Sequence, residues 1–120
     1  MPITRTFTDA SDVYGARLAD TYLLRMLGGD DRLGIYAGTV TAYLGLGADV
    51  VRIEAGVADI FGQAGADRFQ VAGSGSTLSG GADNDIFKLR GRAGSTLMGG
   101  TGEDRFSVFA DTSGITAAGG

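Results

Sequence analysis

Apolar residues alternate with polar ones in short bursts, and the bursts recur at a fixed interval. Leu33 and Ile35, Val51 and Ile53, Phe69 and Val71, Phe87 and Leu89, and Phe106 and Val108 are five copies of one apolar-x-apolar phrase. Two residues ahead of each copy stands an aspartate, Asp31, Asp49, Asp67, Asp85 and Asp104, so the steps are 18, 18, 18 and 19. Seven residues before each aspartate lie Leu24, Ala42, Ile60, Leu78 and Leu97, a series that next lands on Ile115. Alternation of period two predicts a short strand with one buried and one wet face. A period near 20 residues predicts a solenoid in which each repeat is one turn. The expected fold is all-β: a parallel β-roll or β-solenoid of about 18 residues per coil, with five to six coils. Three inward columns are expected, on rungs about 4.8 Å apart.

Residues 1–23 are the least regular. Asp12, Tyr14 and Ala16 echo the phrase 19 residues ahead of Asp31. This predicts a degenerate first coil or cap, in which Phe7, Tyr14, Leu18 and Tyr22 cover the first apolar layer. An amphipathic helix over 13–24 is the alternative. Residues 24–120 are the array, and its last coil is incomplete, stopping within ITAAGG. That ending suits a piece of a longer array, or a protomer whose open end meets a second copy. The nineteenth residue of the last step falls between Phe87 and Leu97, in the turn opposite the aspartates, where an insertion disturbs no stacked strand.

Composition sharpens this picture. Glycine makes up 22 of 120 residues, yet 43% of the chain is hydrophobic and recurs in register, so the glycines belong to turns. With no Cys there are no disulfides and no thiol chemistry, and with no His the commonest general base is missing. No nucleophile stands beside a base and no phosphate loop precedes a helix, so catalysis is not expected. The net charge of −4 disfavours nucleic acid. No 18-residue apolar run is present to span a membrane. The N-terminus lacks the apolar core of a secretory signal peptide, so the chain either stays inside or leaves by a route that reads no such signal.

The aspartates pose a problem of their own. Stacked in register, they would hold like charges roughly 5 Å apart, at about 3 kcal/mol per neighbouring pair for an effective dielectric near 20 and about 1 kcal/mol in water. A hard cation taking oxygen ligands would neutralise them, and short carboxylates beside glycine turns with accessible carbonyls suit calcium. The opposite turns hold no carboxylate apart from Asp111, so any ion ladder is one-sided. The alternative is that aspartate and glycine serve the turn itself through local backbone hydrogen bonds.

Gly99–Ser107 (GGTGEDRFS) and Gly80–Lys88 (GGADNDIFK) resemble the glycine- and aspartate-rich nonapeptide of the RTX, or haemolysin-type, calcium-binding repeats, the second with Asp83 in place of a glycine. The copies at 62–71, 44–53 and 26–35 keep the aspartate and some glycines only, and the resemblance spans roughly residues 24–120. It implies a β-roll in which two nonapeptides make one coil and calcium is held by the aspartate carboxylate and turn carbonyls. Carried over, the metal residues are Asp85 and Asp104, then Asp67, Asp49 and Asp31, with Asp83, Asp30 and Glu103 as extra ligands, for up to about four ions on one side. It also implies an extracellular or cell-surface location reached by a type I, signal-peptide-independent route.

Outward positions on the same strands carry cations. Arg32, Arg68 and Arg105 follow their aspartates directly, whereas Arg52 and Lys88 stand two places further on, giving a staggered basic stripe. Such a face resists sheet aggregation, or serves as a track for an acidic polysaccharide, as in repeat modules of some alginate-modifying enzymes that it resembles. Thr41, Thr77, Thr96 and Thr116 form a column like that of ice-binding solenoids, interrupted by Asp59. Three functions are therefore expected: first a noncatalytic, calcium-binding structural or spacer module, then a calcium-independent solenoid that stacks end to end into a filament or surface layer, then a polysaccharide-binding module.

Overall fold

The computed structural model describes residues 3–8, 10–17, 20–72, 76–90, 95–108 and 116–119. Leu18, Asp111, Ile115 and residues 91–94 lie outside them. Strands pair off along the chain. The first coil is β1 (Ile3–Thr6) and β2 (Val13–Ala16), the second β3 (Thr21–Arg25) and β4 (Arg32–Ile35), the third β5 (Thr39–Tyr43) and β6 (Val50–Ile53). The fourth is β7 (Val57–Phe61) and β8 (Arg68–Val71), the fifth β9 (Thr77–Gly81) and β10 (Ile86–Leu89), the sixth β11 (Thr96–Gly100) and β12 (Arg105–Val108), after which comes β13 (Thr116–Gly119). Odd-numbered strands stack into a seven-stranded sheet and even-numbered ones into a six-stranded sheet. Each described pairing is parallel. The chain is a parallel β-solenoid.

Register follows the apolar phrase. Leu33 pairs with Val51, Val51 with Phe69, Phe69 with Phe87 and Phe87 with Phe106. The three phenylalanine rings stack with centroids 4.8 Å apart and planes within 11° and 7°, which is the rung spacing of a sheet. The helix alternative over 13–24 fails. Val13–Ala16 and Thr21–Arg25 are strands, because β2 pairs with β4 along one edge and β3 pairs with β1 and β5 along both. Phe7, Tyr14 and Tyr22 form a tilted aromatic chain over the first layer, with centroids 5.4 and 6.3 Å apart.

Two expectations about the core need correction. Leu97 pairs with Ala117, not Ile115, because β13 begins two residues later than the repeat predicts. Apart from the aspartates, inward columns number five rather than three. Tyr22, Val40, Ala58, Ser76 and Ser95 form one addition, and Met26, Leu44, Gly62, Gly80 and Gly99 the other, all of them buried. The first shrinks from tyrosine to serine along the array, and from the fourth coil on its small residues face phenylalanine. Tyr22 shares its coil with Leu33 and Val40 with Val51, whereas Ser76 and Ser95 share theirs with Phe87 and Phe106. In the fourth to sixth coils a bulky ring is thus packed against a small side chain. The extra residue of the 19-step lies between Leu89, which pairs with Val71, and Thr96, which pairs with Thr77.

Candidate cation site along the aspartate column

Each aspartate sits at the end of a turn of pattern x-x-x-x-Asp whose first and third residues take left-handed backbone angles: 27 and 29, 45 and 47, 63 and 65, 81 and 83, 100 and 102. Glycine fills seven of these ten places; Leu27, Gln63 and Asp83 fill the others. Stacking adds a second reason for glycine. A Cβ on Gly65 would lie 1.9 Å from the Gly47 carbonyl oxygen of the coil before. Turns are also stitched through their backbones, Leu46 N–H donating to Leu27 O at 2.8 Å and Ala82 N–H to Gln63 O at 2.8 Å.

This geometry turns the five aspartates inward in one line. Asp31, Asp49, Asp67 and Asp85 are no more than 1% exposed, and Asp104, at the sixth coil, is partly buried. Oδ1 of each accepts a hydrogen bond from the backbone N–H of the aspartate one coil earlier. Asp12 donates to Asp31 at 2.8 Å, Asp31 to Asp49 at 2.7 Å, and Asp49, Asp67 and Asp85 to the next in line at 2.9 Å. The carboxylates are thus clips between coils, not local turn formers. The column starts at Asp12, whose own carboxylate folds back onto Thr8 N–H and Oγ1.

Oδ2 behaves differently. In Asp31, Asp49, Asp67, Asp85 and Asp104 alike it is buried and has no hydrogen-bond partner. Burial pushes all the inner carboxyls up: Asp31 rises, Asp85 reaches about 6, Asp49 about 7 and Asp67 about 8. Backbone N–H donors oppose the shift, while neighbouring aspartates reinforce it. Protonation relieves part of the column, because a protonated Asp49 carboxyl donates to that of Asp31.

The surroundings of Oδ2 divide the column. In the last three coils the residue five places earlier is glycine, and a Cβ there would meet Oδ2 of Asp67 at 2.4 Å from Gly62, of Asp85 at 2.1 Å from Gly80 and of Asp104 at 2.1 Å from Gly99. The Gly80 carbonyl oxygen converges on the Gly62 point at 2.5 Å, and the Gly99 carbonyl on the Gly80 point at 2.9 Å. At the Gly62 and Gly80 places two oxygens, one from a carboxyl and one a carbonyl, therefore converge without a donor between them, whereas at Gly99 only the Asp104 carboxyl closes in. In the earlier coils Met26 and Leu44 hold the glycine position and bury their side chains in the core. An all-oxygen, desolvated pair suits a hard cation once the carboxyl has lost its proton. The residues of the last three coils fit calcium better than those of the second and third. Among the described residues no three acidic side chains gather at one point, so backbone carbonyls would have to make up the shell.

The other expected ligands lie on the exposed rim of the turns. Asp30 Oδ1 accepts from Ala48 N–H at 2.9 Å, and Asp83 Oδ2 from Gly65 N–H at 3.0 Å. Glu103 is exposed and its backbone N–H donates to Asn84 Oδ1 at 2.7 Å. Asp83 reaches the column through its charge, which helps lift Asp67 and Asp85. Arg32, Arg52, Arg68, Lys88 and Arg105 are exposed on the outer face of the six-stranded sheet, away from the column. Thr41, Asp59, Thr77 and Thr96 share one outer column of the other sheet, and the backbone of Thr116 is in register with Thr96. Sequence reasoning missed the floor of the site, Gly62, Gly80 and Gly99; the doubled glycines at 80–81 and 99–100 were the available signal. Compared with protein-family models, curated proteins and solved structures, the chain matches none of them.

Proposed function

We propose that the chain is a noncatalytic, calcium-binding β-roll of the kind the RTX-like repeats suggested, serving as a structural or spacer module. The observation that carries this reading is the line of buried Oδ2 atoms without partners. A buried acceptor left unsatisfied costs about 1–3 kcal/mol, more when charged, and a single lapse would pass as strain. Five in register are a repeated feature of the fold. Asp67, Asp85 and Asp104, each backed by glycine, are the residues that would hold the ions, with turn carbonyls completing the shell. Bound calcium supplies positive charge between stacked carboxylates; the chain supplies an oxygen lining and a dry wall.

Ion binding to the folded form alone stabilises by mass action, roughly 2.7 kcal/mol for one site at a hundredfold excess over its dissociation constant. A module that works outside the cell, where calcium is plentiful, would fold on arrival there. Circular dichroism melts at pH 8 in excess chelator and in millimolar calcium test the reading. A midpoint raised by calcium but not by magnesium supports it; superimposed melts with no heat of binding defeat it.

A further inference from the structure

We propose that the outer face of the seven-stranded sheet, from β1 to β9, is an interface on which a second copy of this chain docks about a two-fold axis over β5. Apolar surface on that face is concentrated in the second, third and fourth coils. Tyr43 and Phe61 stand in register in the column that begins with Arg25, and their rings stack with centroids 5.1 Å apart and planes within 11°. Beside them Leu27 and Leu46 project from the turns, 41% and 66% exposed. Leu23, Gly28 and Gly45 complete a groove of about 610 Å³ between the turn leucines and Tyr43. Ser79 interrupts the column in the fifth coil.

Two features separate this patch from incidental exposure. Leu27 holds a left-handed backbone at φ 68°, in the place that Gly45, Gly81 and Gly100 occupy in other coils, and a bulky residue there is strained. Leu46 stands at the turn tip where neighbouring coils carry Gly28, Ala64 and Ala82. Leu27 strains its turn and Leu46 leaves a large side chain in water, so the folding of a single copy explains neither. Apolar groups gathered at the surface in this way mark a contact site.

The occupant follows from charge. The patch carries one cation and one anion, Arg25 and Asp59, both exposed and, among the described residues, neither in an ion pair. Register puts Asp59 two rungs beyond Arg25 and one outward column across, since Arg25 aligns with Phe61 through Tyr43. Packed sheets keep their strands roughly aligned, and a two-fold axis along the strands reverses the order of coils while laying each column over itself. β3 then faces β7 of the second copy. Arg25 comes to lie over the Phe61 ring of that copy, about 7 Å along the strand from its Asp59, within the span of an arginine side chain. Symmetry makes this contact twice. Leu46 meets its own counterpart at the axis, and Thr4 and Thr6, in register with Leu23 and Arg25, face Thr77 and Ser79 with no like charges opposed. A wholly acidic or wholly basic partner would be repelled by one of the two charges. Five rungs by one strand length is a footprint of roughly 24 by 17 Å, at the small end for a specific contact, so the dimer exchanges with the monomer.

The test uses the full chain under conditions in which circular dichroism shows it folded, with sedimentation equilibrium from about 1 μM to about 1 mM as the readout. Expected is a monomer–dimer equilibrium that stops at two copies. Arg25→Asp and Asp59→Arg each raise the dissociation constant at least about tenfold by setting like charges against each other, and the double variant Arg25→Asp/Asp59→Arg restores it to within about threefold of the parent. Leu46→Ser weakens association at least about tenfold while the melting midpoint of dilute protein stays unchanged. Leu27→Gly weakens it too, yet leaves that midpoint no lower, because glycine suits the left-handed angle. A monomer at every concentration, growth beyond the dimer, a double variant no tighter than the single ones, or Leu46→Ser associating like the parent would each overturn the proposal. Growth beyond two copies would assign association to the solenoid ends instead. This inference stands apart from the cation column, and either can fail alone.

Discussion

The backbone N–H of Asp49 donates to Oδ1 of Asp67 at 2.9 Å, while Oδ2 of the same carboxylate is buried without a partner. One side chain thus does two separable things. Oδ1 ties a coil to the one before it, and Oδ2 presents an oxygen to the interior.

Substitution separates the two roles. Asp67→Asn keeps an acceptor for Asp49 N–H and removes the charge. Asp67→Ala removes the acceptor as well and leaves that N–H buried and unpaired, which costs about 1–3 kcal/mol. In chelator at pH 8, Asn at 67 melts at or above the parent and Ala below it. In calcium both lose stabilisation relative to the parent. Melting curves of the three proteins under both conditions check this.

The pH dependence has a definite sign. Asp85, Asp49 and Asp67 rise from 3.8 to about 6, 7 and 8, with burial as the leading cause. Their folded pKa values lie above the unfolded one, so between those limits the folded chain binds more protons than the unfolded chain. Their contribution to stability is fully present below about pH 3.8 and is lost as pH rises through about 6 to 8. In chelator the melting midpoint therefore falls from pH 4 to pH 8. Saturating calcium flattens that decline, because the ion replaces the proton. Melts across this range with and without calcium check both statements.

Gly80→Ala isolates the floor of the site. A methyl at that position would stand 2.1 Å from Asp85 Oδ2 and 2.9 Å from the Gly99 carbonyl oxygen, in a buried place. Overpacking of this kind costs about 1–3 kcal/mol. Calcium should no longer raise the melting midpoint by the parent's increment, whereas Ala48→Gly, on the exposed rim of a turn, leaves that increment intact. Thermal melts of the two variants distinguish them.

Phe87→Ala tests the stacked core independently of any ion. Phe87 is 1% exposed and lies between Phe69 and Phe106 at 4.8 Å from each. Its removal costs about 3–5 kcal/mol, in chelator and in calcium alike, as measured by denaturant unfolding.

The solenoid was legible in the sequence because two kinds of column repeat without change of character: Asp31 to Asp104, and the apolar positions from Leu33 to Phe106 and from Leu24 to Leu97. Two further columns were not legible because their residues change along the array. Tyr22 gives way to Ser95 as Leu33 gives way to Phe106, and Met26 gives way to Gly99 as the turn tightens onto Oδ2. Neither reads as a hydrophobic repeat, since each passes from large apolar residues to serine or glycine. The site was half legible. Spacing placed the aspartates in one line, but the clip from Asp49 N–H to Asp67 Oδ1 spans 18 residues and joins adjacent coils, a contact that a pattern within one turn does not contain.

The most direct measurement is an anomalous difference map from crystals of the chain grown with calcium and soaked with a lanthanide that replaces it. Expected are peaks beside Oδ2 of Asp67, Asp85 and Asp104 and none at Met26 or Leu44. Peaks confined to the exposed Asp30, Asp83 or Glu103, with the column free of metal, would contradict the role given to those buried oxygens.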